Sequence, residues 1–205
     1  MENFNELALT WDKEPRRAER AAIIAEEVTK SIPEIYHKTG FEYGCGTGLL
    51  SLNLQKHFKT ITLADNSEGM LAILEEKINN QGIENMKTMK IDLVSDPLPC
   101  EKYDVVYTLM TLHHILDTAK IVKAFHEILA PAGYLCIADL EEEDGSFHGP
   151  DFEGHKGFNR EVLTDILTKC GFTDVYSRIS YVIKKKDENG IEKNYPLIFM
   201  VARKR

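Results

Sequence analysis

Gly44, Gly46 and Gly48 stand at alternate positions in the run Glu42-Tyr43-Gly44-Cys45-Gly46-Thr47-Gly48. They follow a short aromatic stretch and lead into Leu49-Leu50-Ser51-Leu52, which reads as the start of a helix. A backbone that lies against a ligand at alternate positions needs no side chain there and tolerates unusual φ/ψ. An acid, Asp65, closes the next apolar run, Ile61-Thr62-Leu63-Ala64. A glycine turn followed by an acid one strand later is a nucleotide-cofactor pattern, and its spacing discriminates between cofactors. A dinucleotide turn requires G-x-G-x-x-G/A, its last small residue lying where helix packs on strand. Here that slot holds Leu49, which is too large.

Other polar groups punctuate the apolar runs. Asp92 follows Ile91, Thr108 and Leu109 end the run from Tyr103, and His113-His114 come next. Residues 141–158 carry His148 and His155 with Phe147, Phe152 and Phe158 among glycines and acids. Histidine changes charge near neutrality and can take a proton from a reacting group. His114, His148 and His155 are therefore the candidate catalytic bases, the competing role for His113-His114 being a packed structural pair. Two histidines with acids nearby could also hold a metal, but the spacing matches no known site, and no metal is expected. Cys45 sits inside the turn.

Four segments in order resemble the motifs of class I S-adenosylmethionine (SAM) methyltransferases. Glu42 to Gly48 matches their first motif, E/D-x-G-x-G-x-G, in full. Asp65 is similar to the acid that binds the ribose hydroxyls, and Ile91-Asp92-Leu93 to the acidic motif beside the adenine. Tyr103 to Tyr107 with Leu112 to Ile115 resembles the fourth strand and its exit, and Ile128 to Tyr134 the L-x-P-G-G turn, with Ala132 replacing one glycine. The resemblance spans roughly residues 38–205. It implies transfer of a methyl group to an acceptor by in-line displacement, with S-adenosylhomocysteine (SAH) as product. It implies a cofactor groove formed by Glu42, Tyr43, Gly44, Cys45, Gly46, Gly48, Asp65, Asn66, Met70, Asp92, Leu93, Thr108, Leu109 and His113. The glycine turn would face the methionine moiety and ribose, Asp92 the adenine amino group, and Leu93 the ring. Glu42 would lie near the ammonium or sulfonium charge, or orient the loop. Two base-methylating signatures do not fit. The Pro99-Cys100 pair precedes the fourth strand instead of following it, and Thr108-Leu109-Met110-Thr111 stands where Asn/Asp-Pro-Pro-Tyr would be.

The elements that must position these groups alternate. Helices are predicted at 14–31, 48–58, 70–81, 118–129 and 159–170, with Pro15 at a start and Gly82 and Gly171 at stops. Strands are predicted at 39–43, 60–64, 86–91, 103–109 and 134–139. Two further strands, 175–184 and 195–202, flank Asp187-Glu188-Asn189-Gly190, and Asn-Gly between strands signals a hairpin. Alternation of strand and helix gives an α/β fold with a mostly parallel sheet. The expected architecture is a three-layer αβα, Rossmann-like sheet of seven strands with one antiparallel strand from the C-terminal hairpin, placed at the edge. A single domain is expected over 1–205: a helical cover over 1–37, a SAM-binding core over 38–205, and a substrate-facing loop at 141–158. Trp11 in the cover reads equally as lid or core anchor.

Bulk properties bound the partners. The chain has 205 residues, a formal net charge of -8 and scattered cysteines (Cys45, Cys100, Cys136, Cys170). An acidic surface repels phosphate backbones, so nucleic acid is not expected as partner. No apolar run reaches membrane-spanning length and the start is no signal peptide, so no membrane partner and a cytoplasmic setting are expected. The expected partner is a small-molecule methyl acceptor, with the protein a monomer or homodimer. The alternatives are a SAM- or SAH-binding protein without turnover, a protein or RNA methyltransferase, and an NAD-dependent oxidoreductase.

Overall fold

The computed structural model describes residues 3–186 and 190–205. The predicted hairpin turn falls mostly on 187–189, outside the described residues. Among the described residues, seven strands form one sheet: β1 (Thr39–Tyr43), β2 (Thr60–Asp65), β3 (Met86–Lys90), β4 (Tyr103–Leu109), β5 (Leu129–Leu140), β6 (Phe172–Lys186) and β7 (Glu192–Lys204). Their order is β3-β2-β1-β4-β5-β7-β6. β1 pairs in parallel with both β2 and β4, so the strand order reverses there, and ligands of open α/β sheets bind beyond the carboxyl ends at such a point.

Helices cover both faces. α2 (Pro15–Ser31), α3 (Leu49–Leu54) and α4 (Glu68–Gln81) pack on one face through Ile24, Val28, Leu50, Leu54, Leu71 and Leu74. α5 (Thr118–Ile128) and α6 (Arg160–Lys169) pack on the other through Ile121, Phe125, Leu163 and Leu167. Their ends are set locally. Ser67 accepts from the Met70 amide, Asp117 from Lys120 and Asn159 from Glu161, while Gly82 closes α4 in a left-handed conformation. α2 is thus a sheet-packing helix, and α1 (Phe4–Leu7) with the turn Ala8–Lys13 is the part of the first 37 residues that reaches the glycine turn.

Among the described residues β7 is the strand that runs against the other six, and it lies inside the sheet between β5 and β6 instead of at the edge. Leu197 to Ala202 are all buried, a continuous run that only a strand covered on both faces can satisfy, whereas β6 exposes Tyr176, Ile179 and Val182. β5 starts five residues earlier than the apolar pattern indicates, running back through Pro131-Ala132-Gly133. No helix among the described residues is long and apolar enough to cross a membrane.

Ala132 holds φ +60°, in the left-handed region where a Cβ costs on the order of 1 kcal/mol. Ala132→Gly is predicted to raise stability by up to about 1 kcal/mol, partly offset by the freer unfolded chain. Urea denaturation measures it, and a clear loss of stability would show that the turn carries no such strain.

Candidate functional site

The glycine turn leaves β1 at the reversal of strand order. Gly44, Gly46 and Gly48 all have positive φ (69°, 52° and 83°). Two of them are tightly packed. A Cβ on Gly44 would lie 2.2 Å from Thr111 Cγ2, and one on Gly48 would lie 2.3 Å from Leu74 Cδ1. Gly46 differs: a Cβ there would meet the sulfur of Met70 at 3.9 Å and Nε1 of Trp11 at 4.0 Å, ordinary van der Waals contact instead of a clash. Asp65, at the end of β2, accepts from the Gly46 amide at 2.7 Å and the Ser67 amide at 2.8 Å. Burial pushes its carboxyl up, and those amides oppose the shift. Neighbouring Asn66 is exposed. Cys45 is buried, and burial followed by the charges of Glu42 and Asp65 pushes its thiol well up, so it is no nucleophile.

Glu42 faces away from the outer side of the turn. It is 2 % exposed and bonded by the Ser51 hydroxyl, which also lies 2.7 Å from Tyr107 Oη. Burial, then the charge of Asp65, pushes its carboxyl up to about 8 against the hydrogen bonds of Ser51. Its hydrogen-bond partner Ser51 lies on α3.

At the end of β3, Asp92 accepts from the Val94 amide at 2.9 Å, the Ser95 hydroxyl at 3.0 Å and Tyr43 Oη at 3.2 Å, with Leu93 buried beside it. At the end of β4, Thr108 is buried and its Oγ1 has no hydrogen-bond partner. Leu109 is followed by Met110 at φ +55°, a left-handed non-glycine residue of the sort that gathers at functional sites. That turn delivers Thr111 onto Gly44 and His113-His114 beyond it.

The histidines separate into two groups. His113, 1 % exposed, lies with Nδ1 2.6 Å from Oδ1 of Asp139, and its amide donates to Oδ2 at 3.3 Å. Burial would push Asp139 up, but the charge and hydrogen bonds of His113, with the Leu140 amide, hold it below its usual value. His114 and His148 lie beside His113, ring centroids 4.2 and 5.0 Å away. Burial, then the neighbouring rings, pushes His114 down to about 3; burial, then His113 and Lys185, pushes His148 down to about 4. His155 departs from the expected role of base. Its Nε2 is spent on the carbonyls of Ile115 at 3.0 Å and Leu116 at 3.2 Å and on Thr118, and it fastens residues 141–158 to the start of α5. His113 is correspondingly a member of a buried histidine cluster more than of the glycine turn.

Several residues at the site were not read from the sequence. Asn5 Oδ1 bonds the Ser67 hydroxyl and the Gly69 amide, and Asp12 takes the Thr47 hydroxyl at 2.6 Å while pairing with Lys77. Phe4 packs edge-on against both Trp11 and His114. Apart from Phe4 on Trp11, these contacts cross more than thirty residues of chain and carry no local pattern. Asp139 did leave a signal: it is an acid at the end of the apolar strand Leu135-Cys136-Ile137-Ala138.

Comparison with known proteins places this geometry. Residues 41–137 match the family model described as a methyltransferase domain. An uncharacterized methyltransferase of Schizosaccharomyces pombe is 27% identical over 192 residues, covering 84% of this chain and 68% of its own length. A ubiquinone biosynthesis O-methyltransferase of Hydrogenovibrio crunogenus is 29% identical over 154 residues, covering 72% of this chain and 62% of its own length, so the chain spans only part of these relatives. Among solved structures, phosphoethanolamine N-methyltransferase 2 of Haemonchus contortus, in complex with phosphomonomethylethanolamine and SAH, shares the fold with a TM-score of 0.69 at 17% identity, over 86% of this chain and 51% of its own. Residues 41–137 thus resemble a methyltransferase domain, and the sheet has the fold of the class I, SAM-dependent kind.

The buried Glu42 generates a pH prediction. Its folded value, about 8, lies above the ordinary 4.5, so its contribution is fully present below about pH 4.5 and is lost as pH rises toward 8. Glu42→Gln is predicted to flatten the fall in ligand-free stability between pH 5 and pH 8, a difference on the order of a few kcal/mol. Urea midpoints at the two pH values measure it; an unchanged slope in the variant would contradict a protonated, buried Glu42.

Proposed function

We propose that this class I methyltransferase domain transfers a methyl group from SAM to a small-molecule acceptor in the cytoplasm, acting as a monomer or homodimer. The observation that carries the reading is the convergence of the glycine turn, Asp65, Asp92 and the end of β4 at the one reversal of strand order. The residues present fit the cofactor. Gly46 is the one of the three glycines where no side chain would come closer than 3.9 Å to a Cβ, Thr108 offers a buried oxygen without a partner, and Asp65 ends β2 while Asp92 follows β3.

SAM supplies a methyl group already activated on a sulfonium, so the hard chemistry belongs to the cofactor. The protein binds and orients. The backbone at Gly44, Gly46 and Gly48 would receive the methionine and ribose parts, with Met70 beside the turn. Asp65 retains lone pairs for a vicinal diol, a task suited to a carboxylate. Asp92 would accept from the adenine amino group, Leu93 and Tyr43 flanking that end. Thr108 and Leu109 would form the floor, and Trp11 with Phe4 would exclude water from above. Cys45 fills the turn, and Asn66 stands at the rim.

The acceptor would enter between residues 4–13 and 141–158, where His114 and His148 are the polar groups. Both are neutral imidazoles at physiological pH and can accept a proton or bind an electrophile. A small acceptor is supported by the similarity to a ubiquinone biosynthesis O-methyltransferase and by the acidic net charge, which disfavours nucleic acid.

Calorimetric titration with SAM, SAH and NAD tests the reading. SAM and SAH are expected to bind in the micromolar range and NAD not at all. Asp65→Asn, checked for an unchanged melting profile, is expected to weaken SAH at least tenfold, about 1.4 kcal/mol. NAD binding, or a variant that binds SAH as tightly as the parent, would contradict it.

A further inference from the structure

Outside the turn and acids, the most unusual feature is the cluster His113, His114 and His148. One ring nitrogen from each lies within 4.8 Å of the other two. Their sequence spacing hides this, since two are adjacent and the third arrives from residues 141–158. Two buried nitrogens in the cluster, Nε2 of His113 and Nε2 of His148, have no hydrogen-bond partner. A buried polar atom left unpaired costs on the order of 1–3 kcal/mol, and such an atom requires an explanation.

The orientation of His113 supplies one. The Asp139 carboxylate can only accept, so it takes the Nδ1–H of His113 and leaves the unpartnered Nε2 as the nitrogen that faces the other two rings' side of the cluster. Metal-binding histidines are held in this way, the distal ring N–H given to a carboxylate that fixes the tautomer and raises ligand basicity. Asp139 is itself fully buried and is held by the Leu140 amide at 2.7 Å. The other rings are braced too. Phe152 stacks on His148 at 3.9 Å with planes 16° apart, and Phe4 meets His114 edge-on at 5.3 Å. The His155 amide donates to the His113 carbonyl at 2.7 Å, fastening the segment that brings His148.

We propose that His113, His114 and His148 form a binding site for one divalent transition-metal ion of the zinc type, with Asp139 positioning His113. Three imidazoles and an open fourth position are the donor set of catalytic zinc sites. Nitrogens on one zinc at about 2.0–2.1 Å stand about 3.4 Å apart, so the three rings close together from the present spacing as the ion binds. The cluster is beside the glycine turn through Thr111 on Gly44 and through Phe4, which touches both His114 and Trp11. Resting on the methyltransferase reading, the open position would take the acceptor's thiol or hydroxyl. As the bond from sulfur or oxygen to the metal forms, the acceptor's proton leaves to solvent, so the histidines act as ligands rather than as bases.

The test uses untagged full-length protein stripped with a chelator and titrated with Zn²⁺ by calorimetry and with Co²⁺ by visible absorption. One equivalent is expected to bind, with the intense visible bands of a tetrahedral cobalt site. His114→Ala and His148→Ala should each weaken binding at least tenfold, while exposed His37→Ala should leave it unchanged. Circular dichroism and melting confirm that each variant is folded. Absence of stoichiometric binding, or equal affinity in the cluster variants and the parent, overturns the proposal. SAH is titrated into the metal-free protein in parallel. SAH binding without metal binding overturns the metal site and leaves the methyltransferase reading standing; metal binding without SAH binding upholds the site and removes that reading's cofactor.

Discussion

At the carboxyl end of β1 the chain has five residues in which to leave the middle of a parallel sheet and enter α3, with β2 on one side and β4 on the other. It does so through three left-handed glycines, two of which also meet side chains at distances that exclude a Cβ. Thr111 from the exit of β4 packs on Gly44, and Leu74 from α4 packs on Gly48. Asp65 at the end of β2 ties the middle of the turn by the Gly46 amide. The backbone constraint at this turn therefore gathers the ends of three strands and one helix. Gly46 alone of the three has no side chain closer than 3.9 Å to where its Cβ would stand.

The sheet and this turn were legible because their signals are local. Glycine spacing, an acid at the end of an apolar run and alternating periodicity are written within a few residues of where they act. The position of β7 was less so. The Asn-Gly signal marks a hairpin but not which of its strands pairs with β5, and burial of Leu197 to Ala202 on both faces decides that. The histidines were legible as types and not as a constellation. His155 and His148 lie seven residues apart in the same segment, yet one is consumed by backbone carbonyls and the other stacks beside His113. Residue identity alone does not distinguish a ring that serves as a fastener from one whose lone pair is free.

Burial divides the ionisable groups near the turn by role. Glu42 and Asp139 are both fully enclosed, yet one is pushed up and the other held down. The difference lies in partners: Glu42 faces hydroxyls and another acid, whereas Asp139 faces an imidazole and two amides. A protonated Glu42 under the turn avoids an unpaired buried anion, and an ionised Asp139 fixes the tautomer of His113. Two buried carboxyls, on β1 and β5 with β4 between them, are thus driven in opposite directions by their partners.

The most direct measurement is a crystal structure of the protein with SAH. The account predicts density for SAH along Gly44 to Gly48, its ribose hydroxyls on Asp65 and its adenine between Leu93 and Asp92. SAH bound elsewhere on the sheet, or none at saturating concentration in an intact fold, would contradict it.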